Sequence, residues 1–203
     1  MDNHRTLKYD RYEKIKHEVC YLLEECPGVS YPLDVMNVAK MLDYVVIPYS
    51  KFDYLNLMRA LAISDDAYST VEKEPDTGMY RYVIYFNDRC PTPERIAWSL
   101  AHEIGHIYLG HHDEEPKEEH ELEANFFAKY LMAPPPLIHK AECRNYFDVA
   151  VCFNLSMQAA HYAYKSYEKW LHYGPKDYQD FELKMIENYP VLSGFGFSES
   201  FVV

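Results

Sequence analysis

Thr92-Pro93-Glu94-Arg95-Ile96-Ala97-Trp98-Ser99-Leu100-Ala101-His102-Glu103-Ile104-Gly105-His106-Ile107-Tyr108 is the stretch that decides how the rest of the chain is read. It opens with a capping threonine, a proline at the first helical position and an acid in the first turn, which together predict a helix over 93–109. On a helical wheel His102 and His106 share one side, while Ile96, Ala97, Leu100, Ile104, Ile107 and Tyr108 gather on the other. The helix therefore buries one face and presents two imidazoles on the opposite one. Histidines four residues apart differ by about 40° in azimuth and about 6 Å in rise, so both can reach one metal ion. Glu103 points about 100° from His102, beside such an ion rather than onto it. In that place a carboxylate can take a proton from the attacking water and pass it to a leaving amine. His102 and His106 are thus expected as metal ligands and Glu103 as the general base.

A catalytic zinc needs a third protein ligand, and the sequence offers two kinds. His112 lies ten residues after His102, a spacing that needs a glycine at position 109 for a sharp turn. The chain has Leu109 there, with Gly110 one step late. The other source is the next helix, expected over 116–132 and stopped by Pro134-Pro135-Pro136. Its Glu118, Glu121, Asn125 and Lys129 form a polar face. Glu123 falls on the other side, among Phe126, Phe127, Tyr130 and Leu131. A carboxylate on an apolar face is costly unless a cation pairs with it, and the metal would be that cation. Glu123 is therefore the expected third ligand, with Glu119, one turn earlier on the same face, as its alternate.

The full 203 residues carry a −12 formal net charge, with 48% hydrophobic and 26% charged residues. That composition suits a globular chain with a proper core. The acidic balance, without a run of Lys or Arg, argues against direct nucleic-acid binding, and favours encounter with a basic protein partner. Five cysteines without a Cys-x-x-Cys pair point to free thiols. No apolar segment follows Met1-Asp2-Asn3-His4-Arg5 and no 18-residue apolar run occurs anywhere, so no membrane association and a cytoplasmic protein are expected.

Helices are further expected over 9–25, 32–42, 155–171 and 178–186. Strands are expected over 44–47 and 79–86, with an irregular loop over 65–78 and an extended tail from Pro190. This is an α+β chain, mainly helical with a small β-sheet. We expect a core over 1–140 and a C-terminal helical extension over 141–203.

Several segments resemble the ImmA/IrrE family of metallopeptidases. They are Tyr85-Phe86-Asn87, Ser99 to His106, Glu121-Leu122-Glu123-Ala124-Asn125-Phe126-Phe127-Ala128 and Leu131-Met132-Ala133-Pro134, with weaker likeness at Tyr31 to Val35 and Phe153 to Ser156. The resemblance implies a gluzincin-like zinc site with His102, His106 and Glu123 as ligands and Glu103 as base and acid. It also implies cytoplasmic bacterial or mobile-element relatives that cleave a helix-turn-helix repressor and relieve repression. Two other functions are compatible with the residues: a regulatory binding module with a zinc site, and a broad-specificity cytosolic peptidase. Helix 155–171, with His161, Tyr162 and Tyr164, is a possible source of an oxyanion donor, and Asp113 and Glu119 are candidate partners for the ligand histidines.

Overall fold

The computed structural model describes residues 6–174 and 176–191. The chain divides into two compact units. The first contains, in chain order, α1 (Tyr9–Glu25), α2 (Val35–Met41), β1 (Val45–Pro48), α3 (Tyr54–Ile63), β2 (Ala67–Lys73), β3 (Tyr80–Phe86), α4 (Pro93–Tyr108) and α5 (Glu118–Met132). The second contains Ser30–Leu33 with α6 (Pro135–Lys140), α7 (Tyr146–Phe153), α8 (Met157–Tyr173) and α9 (Asp180–Asn188). The division falls after Met132 rather than after residue 140, because α6 packs on α8 and α9. The expected α+β class, mainly helical with a small sheet, is what the structure shows.

Most expected helices form within a few residues of their expected bounds, and capping explains where they start. Thr92 accepts a hydrogen bond from the Arg95 amide at 3.3 Å and starts α4. Asp34 does the same for Asn37 at 3.0 Å, so α2 begins after Pro32 instead of at it. The triple proline ends α5 and then starts α6, with Pro135 at its first position, where a missing N–H costs nothing. Three helices had no sequence assignment: α6, α3, capped by Asp53 on the Asn56 amide at 2.8 Å, and α7, capped by Asn145 on Phe147 and Asp148. Of the tail expected to be extended, everything after Val191 lies outside the described residues.

Half of the expected loop over 65–78, from Ala67 to Lys73, is instead a strand. The sheet runs β1-β3-β2, with β3 central, β1 parallel to it and β2 antiparallel. In register, Ala67 faces Phe86, Ser69 faces Ile84 and Lys73 faces Tyr80. Only 74–79 turns, closed by Gly78 at φ 71° and by Glu74–Met79 and Gly78–Glu74 backbone bonds at 2.8 Å. Ser69, Thr70, Glu72 and Lys73 make the segment look polar, but the ladder to β3 pairs one side of its backbone whatever the side chains are.

The core of the first unit joins Ile15, Val19, Leu22 and Leu23 of α1 to Leu100 and Ile104 of α4, Phe127 and Leu131 of α5 and Val83 and Ile84 of β3, all at most 2% exposed. Each such side chain contributes about 2 kcal/mol by leaving water. Helices α4 and α5 approach most closely at Gly105. A Cβ there would lie 3.0 Å from Phe127 Cδ1 and 3.3 Å from Ala124 Cα. In the second unit, Tyr31 donates its amide to the Pro190 carbonyl at 2.9 Å and stacks edge-on against Phe153. Trp170 donates to Glu182 at 2.6 Å. Among the described residues no helix is long and apolar enough to cross a membrane, and all five cysteines are free thiols.

The Gly105 contact has a measurable consequence. Gly105→Val forces α5 outward and is expected to destabilise the protein by about 2–3 kcal/mol, as for overpacking of a close-packed core. Urea unfolding measures this, and an unchanged midpoint would refute the close approach.

Candidate metal and catalytic site

A cleft of about 680 Å³ lies over α4, bordered by β2 and α5. Its lining includes Ser69, Trp98, His102, Glu103, His106, His112, Glu121 and Asn125. The polar side of the α4 wheel faces this cleft, while Leu100, Ile104 and Ile107 are buried on the other side.

His102 and His106 turn their Nε2 atoms toward each other at 3.0 Å. The carboxylate that meets them is Glu121, not Glu123. Its Oε2 is 3.3 Å from His102 Nε2 and its Oε1 is 3.4 Å from His106 Nε2. Nitrogen and oxygen ligands at about 2.0–2.2 Å from a tetrahedral ion stand about 3.3–3.5 Å apart. The three separations fall at or close to that range, so His102, His106 and Glu121 form a compact group that could hold a single small cation. Glu121 is exposed, which leaves the approach from the cleft open.

The expectation for Glu123 is corrected by its surroundings. It is buried, as its place on the apolar face requires, but its cationic partner is Arg11 of α1. The Arg11 Nε and Nη2 atoms each donate to one carboxylate oxygen, and His111 Nε2 lies 2.9 Å from Oε2. Burial alone would raise the Glu123 pKa, but the hydrogen bonds from Arg11 and His111 outweigh it and hold the carboxyl below its ordinary value. Glu119, the alternate, borders a small pocket with Arg11, Lys8 and Lys14 instead.

His111 and His112 are not idle loop residues. They sit in a short 3-10 turn after Gly110, whose φ of 74° allows the reversal. His111 is buried, with its Nδ1 3.0 Å from His106 Nδ1 and its ring stacked on His120 at 4.2 Å. His112 Nε2 lies 3.0 Å from the Ser69 hydroxyl. The Ser69 hydroxyl donates at 2.6 Å to Glu103 Oε2. Having given its one proton to Glu103, it accepts from His112. Ser69 escaped sequence reading because its segment was taken for a loop. Asp113 and Glu119 are not the partners of His106; His111 is.

Electrostatics separates the titrating groups. Glu103 is buried, and burial pushes its pKa up, against the Ser69 hydrogen bond and the nearby His102. Burial, with the neighbouring histidines, drives His106 down to about 3, so its imidazole is neutral. His111 and His112 are likewise lowered by burial. In the second unit, the candidate oxyanion residues are engaged locally: Tyr164 donates to the Arg144 carbonyl at 2.7 Å and His161 packs edge-on against Tyr146.

The profile of the IrrE N-terminal-like domain, of the M78 peptidase type, matches residues 58–165, more than half of the chain. The matched stretch contains Ser69, the whole of α4, the His111–His112 turn and α5. No curated protein matches the chain.

Arg11 and Glu123 supply a prediction of their own. Removing one partner of a buried pair costs about 3–5 kcal/mol. Because Arg11 keeps 27% of its side chain exposed, Arg11→Met should cost somewhat less, about 2–3 kcal/mol at pH 7. A depressed carboxyl pKa contributes stability that is present above its ordinary value of 4.5 and is lost as pH falls through the folded value. The stability gap between wild type and Arg11→Met should therefore be widest above pH of about 5 and narrow as pH falls through the lowered folded value. Urea titrations at several pH values test this; a gap that does not change with pH would refute it.

Proposed function

Since this chain belongs to the M78 metallopeptidase family typified by the IrrE N-terminal-like domain, we propose that it is a zinc-dependent endopeptidase that cleaves a helix-turn-helix transcriptional repressor. The observation that carries the catalytic part is the convergence of His102, His106 and Glu121 in a cleft with the buried carboxylate of Glu103 beside them. In this reading His102, His106 and Glu121 hold the ion. The chemistry zinc supplies when bound is polarisation of a peptide carbonyl and acidification of a water molecule.

The chain's own residues do the rest. Glu103 takes the proton of the attacking water and delivers it to the leaving amine. Its burial makes it a stronger base than an exposed carboxylate, and the Ser69 hydroxyl fixes which oxygen stays free to do so. Strand β2 is an edge of the sheet and lends Ala67, Tyr68 and Ser69 to the cleft. An extended polypeptide can pair with that edge, which favours a segment inside a longer chain over a terminal residue.

The identity of the substrate rests on the family resemblance and on charge. A net charge of −12 steers a basic, DNA-binding partner toward the enzyme. A module that inactivated its partner by binding alone would have no use for a buried base aimed into the cleft.

The test uses purified protein, zinc analysis and the repressors encoded beside its gene. Glu103→Gln should keep its zinc and lose cleavage by about 10²–10⁴-fold. Glu121→Ala should lose zinc and activity together. Repressor inactivation that survives Glu103→Gln would replace the peptidase reading with the binding module. Zinc retained at wild-type affinity in Glu121→Ala would remove Glu121 from the ligand set.

A further inference from the structure

Glu123, buried and away from the ligand cluster, leads back to it through one more ring. The connected atoms are the Arg11 guanidinium, the Glu123 carboxylate, His111 Nε2, His111 Nδ1 and His106 Nδ1, and the last two contacts are 2.9 Å and 3.0 Å. The links to Glu123 allow only one direction of donation. Arginine has five N–H donors and no acceptor, and an ionised carboxylate has acceptors only. Glu123 therefore accepts from Arg11 on both oxygens, and it accepts from His111 as well, so the His111 proton is on Nε2.

A neutral imidazole with its proton on Nε2 has a bare lone pair on Nδ1. The hydrogen bond between the two Nδ1 atoms then needs its proton from His106. That places the His106 proton on Nδ1 and leaves His106 Nε2 bare, facing His102 Nε2 at 3.0 Å and the Glu121 carboxylate at 3.4 Å. A cationic His111 would reverse the last step, but Arg11 already balances the charge of Glu123.

We propose that Arg11, Glu123 and His111 are a positioning chain that fixes His106 in the tautomer with the proton on Nδ1, so that Nε2 is presented as a ready ligand. The role is remote in sequence. Arg11 lies on α1, outside the stretch matched by the family profile, and Glu123 lies on α5 two residues past Glu121. The functional consequence rests on His106 being a metal ligand, as in the reading above. The tautomer itself is a property of the metal-free chain.

Two measurements test it. The first is two-bond proton–nitrogen NMR on metal-free, ¹⁵N-histidine-labelled wild type at neutral pH, with His106 assigned by comparison with His106→Gln. The expected spectrum shows His106 protonated on Nδ1 and His111 on Nε2. A proton on His106 Nε2 overturns the proposal, whether or not the protein binds zinc or cleaves anything. The second is zinc affinity by chelator competition. His111→Leu should bind zinc about 10–100-fold more weakly, as when an outer partner of a ligand histidine is removed. His111→Asn, whose side-chain oxygen can stand near the lost Nδ1, should recover most of that affinity. Wild-type affinity in folded His111→Leu, or equal loss in both variants, overturns the acceptor role. If His111→Leu does not fold, the wild-type spectrum still decides. Absence of zinc binding in wild type, with the expected tautomers present, would count against the peptidase reading alone.

Discussion

Helices α4 and α5 meet where neither has a side chain to spare, Gly105 against the Ala124 backbone and the Phe127 ring. Everything around the cleft depends on that separation. Glu121 lies about one turn before Ala124 on α5, and its carboxylate reaches 3.3 and 3.4 Å from two histidines of α4 only because the axes are this close. A side chain at 105 would act as a spacer between the two helices. Packing density, not ligand affinity, is therefore what first assembles the site. The apolar sides of the same helices, Leu100 and Ile104 on one and Phe127 and Leu131 on the other, supply the driving force that holds the carboxylate near the two rings.

Three glutamates then do three different things, and their surroundings sort them. Glu103 is buried and meets a hydroxyl, a neutral donor, so its proton affinity stays high. Glu123 is equally buried but meets a guanidinium, so it stays ionised and structural. Glu121 is exposed and lines the cleft beside His102 and His106. Exchanging any two of these environments would remove the function of both residues, although the side chains are chemically identical. The sequence Glu121-Leu122-Glu123 puts two of them two positions apart on a helix, about 200° around the axis, which is how neighbours reach opposite surroundings.

The same geometry explains what could be read from residues alone. Helix α4 was legible in full, because its cap, its apolar face and its paired histidines are local features. The wheel of α5 was half legible. It showed that Glu123 sits on an apolar face and needs a cation, and this is so. It could not show that the cation arrives from Arg11, 112 residues away. The polar face also reads as plain solvent exposure, whereas Glu121 and Asn125 on it line the cleft. Ser69 was hidden for a different reason. An edge strand with one side toward a polar cleft has little hydrophobic alternation, and its pairing with β3 is a long-range property. His112 carried a visible signal in its spacing from His102, but Leu109 counts against a ligand role there, and the partners of His111 and His112 are other side chains of the site.

Arg11 also bears on where the working unit ends. The family profile covers 58–165, yet the first compact unit includes α1, and α1 packs against α5. Without α1, Glu123 would remain on its apolar face with a histidine as its nearest donor. A buried carboxylate in that position draws the proton it lacks. It would either take one itself or hold His111 as a cation. In either state the His111 ring can no longer be relied on to accept from His106, and the hydrogen bond that keeps His106 Nε2 bare is lost or reversed. The N-terminal helix thus contributes more than apolar area, because its arginine supplies the cation that pairs with the buried Glu123 carboxylate.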